Sequence, residues 1–346
     1  MRWKSWGGGA WVVLMGLLIA ACASPPVQES AGSMPSTPAT RPPRSLATAT
    51  PTRLASATPT ARTATVPAST PTRQATSIPP ATPTGEVRTV TFTIVYDNNA
   101  YRAPQASAPA PAALRTSWGF ACWVETAEAT VLFDTGGDGD TLMNNLTNLG
   151  LDPRAIDVVV LSHAHSDHTG GLAALLGAGA KPTVYVPASF SAAFKRGVRR
   201  LTNLVEVVEA VTIAPGIYTT GEVGSSIIEQ ALAVETEEGL VVVTGCAHPG
   251  VVEMVRAARV AASNAPGASV VDVGGQVALV TGGFHLGSAS RARVAGIIAD
   301  FRDLGVQRVA PCHCTGDQAR QLFADAFGAD CVLAGVGWST RMILHE

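Results

Sequence analysis

From residue 86 onward, apolar and polar positions follow patterns that specify elements. Val90, Phe92, Ile94 and Tyr96 alternate with Thr91, Thr93 and Val95, the period of a half-buried strand. Residues 120–126 and 130–134 predict two more strands, joined by a turn at Ala127-Glu128-Ala129. Leu142, Leu146 and Leu149 share one helical stripe, which Gly150 stops. Further along, the solid apolar runs 158–161, 184–186, 240–243, 277–280 and 306–310 each precede a stretch able to form a helix. Runs without alternation point to a sheet buried on both faces. Strands first, then strands alternating with helices, predict a layered α/β fold over a single domain, 86–346.

The first 85 residues follow a different pattern. Arg2 and Lys4 precede an apolar run from Trp11 to Ala21, well short of the ~20 residues of a membrane span. Residues 1–22 are therefore expected to be a secretory signal. Its end, Ile19-Ala20-Ala21-Cys22, resembles a bacterial lipobox, which implies lipidation of Cys22 and an exported protein anchored to the membrane by its N-terminal lipid. Residues 23–85 hold 13 of the chain's 23 prolines and no apolar period. A disordered Pro/Thr/Ser/Ala-rich linker is expected there, with a reach on the order of 50 Å as coil or ~190 Å as polyproline II.

A net charge of −2, with 24 basic residues in no dense cluster, gives no case for a nucleic-acid partner. Five cysteines remain beyond the signal: Cys122, Cys246, Cys312, Cys314 and Cys331. An odd number argues against a complete disulfide framework. Cys312 and Cys314, too close in sequence to pair comfortably, are expected to pack as small hydrophobes near the site.

The chemistry lies at the ends of four of the apolar runs. VVVLS-HAHSDH, LVVVTGCA-HPG, ALVTGGF-H and RVAPC-H each deliver histidine after a buried strand. These carry six of the seven histidines, from His163 to His313. In layered α/β folds, loops beyond strand ends are where functional groups converge. Neutral imidazole and carboxylate are ligands that borderline metals prefer. His163, His165, Asp167 and His168 fall within six residues, enough to wrap one loop around two metal positions. Gly170 and Gly171 let the next helix start close to that loop.

This HAHSDH segment resembles the HxHxDH motif of the metallo-β-lactamase superfamily. The resemblance spans 86–346 and implies an αββα sandwich with a small-molecule substrate. It implies that His163, His165 and His248 hold a first metal, and Asp167, His168 and His313 a second. Zinc, one ion or two, is the expected cofactor, with manganese or iron as alternatives. Asp134, in LFDTGG, matches the superfamily's early aspartate, which orients the loops. One position departs from the pattern. The superfamily's bridging aspartate is replaced by Gly282-Gly283-Phe284-His285, leaving His285 either as a ligand of the second metal or as a contact to substrate. WGF at Trp118, GCAHPG, GGFHL and PCHCTG further resemble a subgroup that includes the archaeal dihydropterin–ribofuranosylaminobenzene phosphate synthase. In that light Asp97 and Asn98 match an early Asp-Asn pair, though a plain turn after a strand fits them equally.

A metal with an open position lowers the pKa of its water from 15.7 to roughly 7. The expected activity is hydrolysis of an ester-type substrate (phosphoester, lactone or thioester), with Asp167 orienting the nucleophile and His285 at the reacting group. Group transfer of the synthase type is the alternative, disfavoured by export of the chain. A non-catalytic metal- or ligand-binding lipoprotein is the third reading. Trp118, Phe284 and Trp338 either select substrate or fill the core.

Overall fold

Strand pleating sends alternate side chains to opposite faces, and here it sorts the apolar residues into three packed layers. A computed structural model describes residues 87–102, 114–264 and 275–345. The chain separates into Met1–Ile78 and Pro79–Glu346, and every described residue belongs to the second unit. The signal 1–22, Cys22 and the linker 23–85 lie outside the described residues.

One sheet runs, edge to edge, through Ser339–Ile343 (β13), Thr89–Tyr96 (β1), Ala121–Glu125 (β2), Thr130–Phe133 (β3), Val158–Val160 (β4), Thr183–Pro187 (β5) and Leu204–Val207 (β6). The other runs through Val306–Cys312 (β12), Val277–Gly283 (β11), Gly239–Thr244 (β10), Leu232–Thr236 (β9), Ile217–Thr219 (β8) and Val211–Ala214 (β7). Between the sheets, Phe92, Ile94, Val131, Phe133 and Val160 meet Leu232, Val234, Val241, Val243 and Leu279 in one cluster. The intervening residues point outward. Leu132, Val159 and Val184 pack under helices Gly139–Asn148 (α1) and Leu172–Gly177 (α3). Val242 and Val280 pack under Val251–Ser263 (α5), Arg291–Asp303 (α6) and Asp317–Phe327 (α7). The result is the αββα sandwich expected from the motif. Each fully buried Val, Leu, Ile or Phe in these layers contributes about 1.5–3 kcal/mol.

The strands predicted from alternation and the five solid runs are all present. Sequence patterning missed β6 to β9 and β13, which are short and mix polar with apolar residues. Strands β3, β4, β5 and β6 pair in parallel, as do β10, β11 and β12. Their C-terminal ends therefore share an edge within each sheet, and there the chain delivers Asp134, His163, Cys246, His285 and His313. Among the described residues no helix is long and apolar enough to cross a membrane.

Candidate metal centre

Four described non-glycine residues adopt left-handed backbone: Asp134 (φ 60°), Ala247 (φ 60°), His285 (φ 51°) and His313 (φ 47°). Each stands where a strand hands its chain to the site. Such a conformation costs about 1–2 kcal/mol per residue, and residues forced into it cluster where side chains must be aimed. The turn Ser166–Thr169 (α2) is pressed onto the loop after β3. Thr135 donates its amide (2.8 Å) and its hydroxyl (2.9 Å) to the His168 carbonyl. A Cβ on Gly170 would collide with the Gly137 carbonyl, and one on Gly171 with that of Thr135, so the two glycines permit this approach.

His163, His165 and His248 face one another, with ring centroids 4.6, 4.8 and 4.9 Å apart. Their orientation comes from Glu229, fully buried on the turn between β8 and β9. Its Oε1 lies 3.0 Å from His163 Nδ1 and 2.8 Å from His248 Nδ1, and its Oε2 accepts the His248 amide at 3.0 Å. Burial pushes the Glu229 carboxyl up, but the hydrogen bonds from His163 and His248 outweigh it and hold the group well below the ordinary carboxylate range. Burial and the adjacent His163 and His248 push His165 down, so its imidazole is neutral at pH 7. Sequence reasoning missed Glu229. Its available signal was a single acid inside the apolar run 227–234, where a charge must have buried partners.

Asp167, His168 and His313 form a second group. Asp167 Oδ2 lies 3.6 Å from His168 Nε2 and 3.5 Å from His313 Nε2. Burial would raise the Asp167 carboxyl, yet His313 and His168 together lower it, so it is ionised. Asp134 Oδ2 holds His168 Nδ1 at 2.6 Å, while its Oδ1 accepts the Ser162 amide at 2.7 Å. Asp97 and Asn98 act on His313. Asp97 accepts its amide at 3.0 Å, and Asn98 Oδ1 lies 3.0 Å from its Nδ1. Oxygen partners thus occupy Nδ1 of His163, His168, His248 and His313, directing each Nε2 inward.

Does this donor set suit a cation? His313 Nε2 is buried with no hydrogen-bond partner, and an orphaned imidazole nitrogen is costly unless something binds it. Asp167, His168, Cys246 and His313 place one donor atom each within 4.8 Å of one another, and so do His163, Cys246 and His248. Imidazole, carboxylate and thiol at this spacing suit zinc or another borderline cation. His285 is exposed at the mouth, its ring 4.3 Å from that of His248. It groups with Cys246 and Cys314, and its hydrogen bond with Cys314 raises its pKa. Trp118, 59% exposed, lies over His313 at 4.9 Å. Phe284 and Trp338 are buried core residues. Cys312 packs between the sheets as expected, whereas Cys314 turns toward His285. A groove beside His248 is lined by residues 223–227, Pro249 and Glu253.

Residues 119–257, which hold Asp134, the HAHSDH loop, Glu229, Cys246 and His248, match the model of the Metallo-beta-lactamase superfamily. Among curated proteins, the 7,8-dihydropterin-6-methyl-4-(beta-D-ribofuranosyl)-aminobenzene-5'-phosphate synthase of Methanocaldococcus jannaschii is 27% identical over 246 residues, 58% of this chain and 80% of that protein. Among solved structures, Tm1679, described as a metal-dependent hydrolase of the beta-lactamase superfamily, aligns with a TM-score of 0.53 at 24% identity, covering 72% of this chain and 98% of its own. The metallo-beta-lactamase fold protein YhfI from Bacillus subtilis aligns with a TM-score of 0.50 at 13% identity, covering 73% and 99%. At these identities the two structures speak for the fold alone.

Proposed function

We propose that this protein is a metal-dependent hydrolase of an ester-type small molecule, a phosphoester, lactone or thioester. The observation that carries this reading is the pair of adjoining donor groups, Asp167, His168, Cys246 and His313 in one and His163, Cys246 and His248 in the other. His163, His165 and His248 would hold one cation, and Asp167, His168 and His313 the other. A bound divalent cation supplies acidified water and an electrophilic pole for a developing oxyanion. The chain's own residues do the rest. Ionised Asp167, 20% exposed, accepts a hydrogen bond from the attacking water and orients it. His285, at the mouth and with a raised pKa, can donate a proton to the departing oxygen. Trp118 offers an apolar face beside His313 against which a substrate can lie. Group transfer of the synthase type is the second reading, supported by the 27% identity to the archaeal enzyme.

Metal analysis of the purified full chain, with phosphodiester, lactone and thioester substrates assayed with and without chelator, tests the proposal. Two bound cations and chelator-sensitive turnover of one class are expected. No bound cation, or turnover indifferent to chelator, would overturn it.

We also propose export and lipid anchoring through Cys22, on the strength of Ile19-Ala20-Ala21-Cys22. Cys22→Ser is expected to move the protein from the membrane fraction to the soluble one. Retention of the variant in membranes would refute the anchor.

A further inference from the structure

Cys246 is buried at the turn after β10, two residues before His248, and its Sγ lies 3.2 Å from His168 Nε2. Two structural features put it there. Gly245 presses the chain against the loop after β4, where a Cβ would collide with Ser162 Oγ and stand 3.0 Å from Asp134 Oδ2. The left-handed backbone at Ala247 then turns the chain between two residues that both reach the site. Cys246 Sγ consequently belongs to both donor groups: with Asp167, His168 and His313 on one side, and with His163 and His248 on the other. No other described residue is common to the two. The neighbouring strand β11 ends in Gly282-Gly283-Phe284-His285 and brings no carboxylate between them. His313 Nε2, aimed at the same space, has no hydrogen-bond partner.

Two dications a few ångströms apart repel strongly, and an anion shared between them offsets that repulsion. A thiolate sulfur has lone pairs enough to contact both. We propose that Cys246 is the bridging ligand of the centre, its thiolate standing between the two donor groups that it alone shares. This rests on the two-cation reading of the site. On binding, the Cys246 S–H bond gives its proton to solvent and sulfur forms one bond to each cation, with no change of oxidation state. The consequence is a choice of metal. A thiolate bridge favours zinc, cobalt or ferrous iron over manganese, magnesium or calcium.

Cobalt(II) loading of the full chain tests the bridge, because cobalt reports thiolate ligation by a near-ultraviolet charge-transfer band. The wild type is expected to bind two cobalt ions with a band that grows through both equivalents. Cys246→Ser should lose the band and weaken at least one equivalent by more than tenfold. Cys246→Asp should lose the band yet bind two ions, and Cys314→Ser should keep both band and stoichiometry. Thermal melts of each variant separate ligand loss from unfolding. A band that saturates after one equivalent confines Cys246 to one cation and overturns the bridge. A band that survives in Cys246→Ser and vanishes in Cys314→Ser transfers the role to Cys314, equally overturning it. Two bound ions without any band would leave the metal centre intact and refute the bridge alone. A wild type binding no more cobalt than His163→Ala would instead remove the metal-centre reading beneath it.

Discussion

His163→Ala is expected to remove at least one cation equivalent and to cut chelator-sensitive turnover by at least about 10³-fold, equivalent to about 4 kcal/mol of transition-state stabilisation. The expectation follows from how completely this side chain is committed. It is fully buried, its Nδ1 is shared by Ser162 Oγ at 2.9 Å and Glu229 at 3.0 Å, and its Nε2 faces His165 at 3.0 Å. His165 and His248 already occupy two other sides of this position. His165→Ala should behave alike for activity but with a smaller effect on stability, because His165 is more exposed and has no buried carboxylate to leave unpaired. Metal analysis and turnover measured on the same preparations decide the matter. Full activity in both variants with unchanged metal content would mean that the chemistry happens elsewhere.

Legibility of the site followed the distance over which its groups are specified. HAHSDH lies in one loop after one solid apolar run, so sequence order alone placed His163, His165, Asp167 and His168 together. The other histidines were found because each follows a strand, and parallel pairing of β10, β11 and β12 brings strand ends to a common edge. Asp134, Asp97 and Asn98 were visible through the resemblance, and all three touch a histidine. What stayed hidden was set by tertiary contact. Glu229 comes from an irregular turn before β9, and only the packing of that turn against the loops after β4 and β10 gives it His163 and His248 as partners. Cys246 carried a hydrophobic residue's signature in a hydrophobic run; its centrality depends on the positive φ at Ala247, which no local pattern announces for alanine. The edge strands β6, β7 and β13 were invisible for a third reason. Exposed edges carry polar residues at alternate or irregular positions, so their apolar signal is weak.

Glu229 offers the sharpest separation of folding from metal binding, because its two oxygens have different duties. Oε1 receives both imidazoles, and Oε2 receives the His248 amide. In Glu229→Gln one oxygen can still serve the imidazoles, but the new NH₂ then faces a backbone N–H, leaving a buried donor unsatisfied at about 1–3 kcal/mol. The lost charge also removes the pull that makes both histidine Nε2 atoms basic toward a cation. Metal affinity is therefore expected to fall by about 10–100-fold while the protein stays folded at ambient temperature. Glu229→Ala leaves the His248 imidazole and amide without acceptors and His163 Nδ1 with Ser162 Oγ alone. By analogy with other broken buried pairs it should cost about 3–5 kcal/mol, lowering Tm on the order of 10 °C for a domain of this size. Thermal melts of the metal-free proteins, followed by metal titration, read the two effects independently. If Glu229→Gln binds metal as tightly as the wild type, the carboxylate positions backbone only, and the orientation of His163 and His248 must come from Ser162 and the strained turn at Ala247. If instead the Gln variant loses affinity with little change in Tm, the buried charge exists for the cation, since a neutral side chain of the same shape would hold the fold.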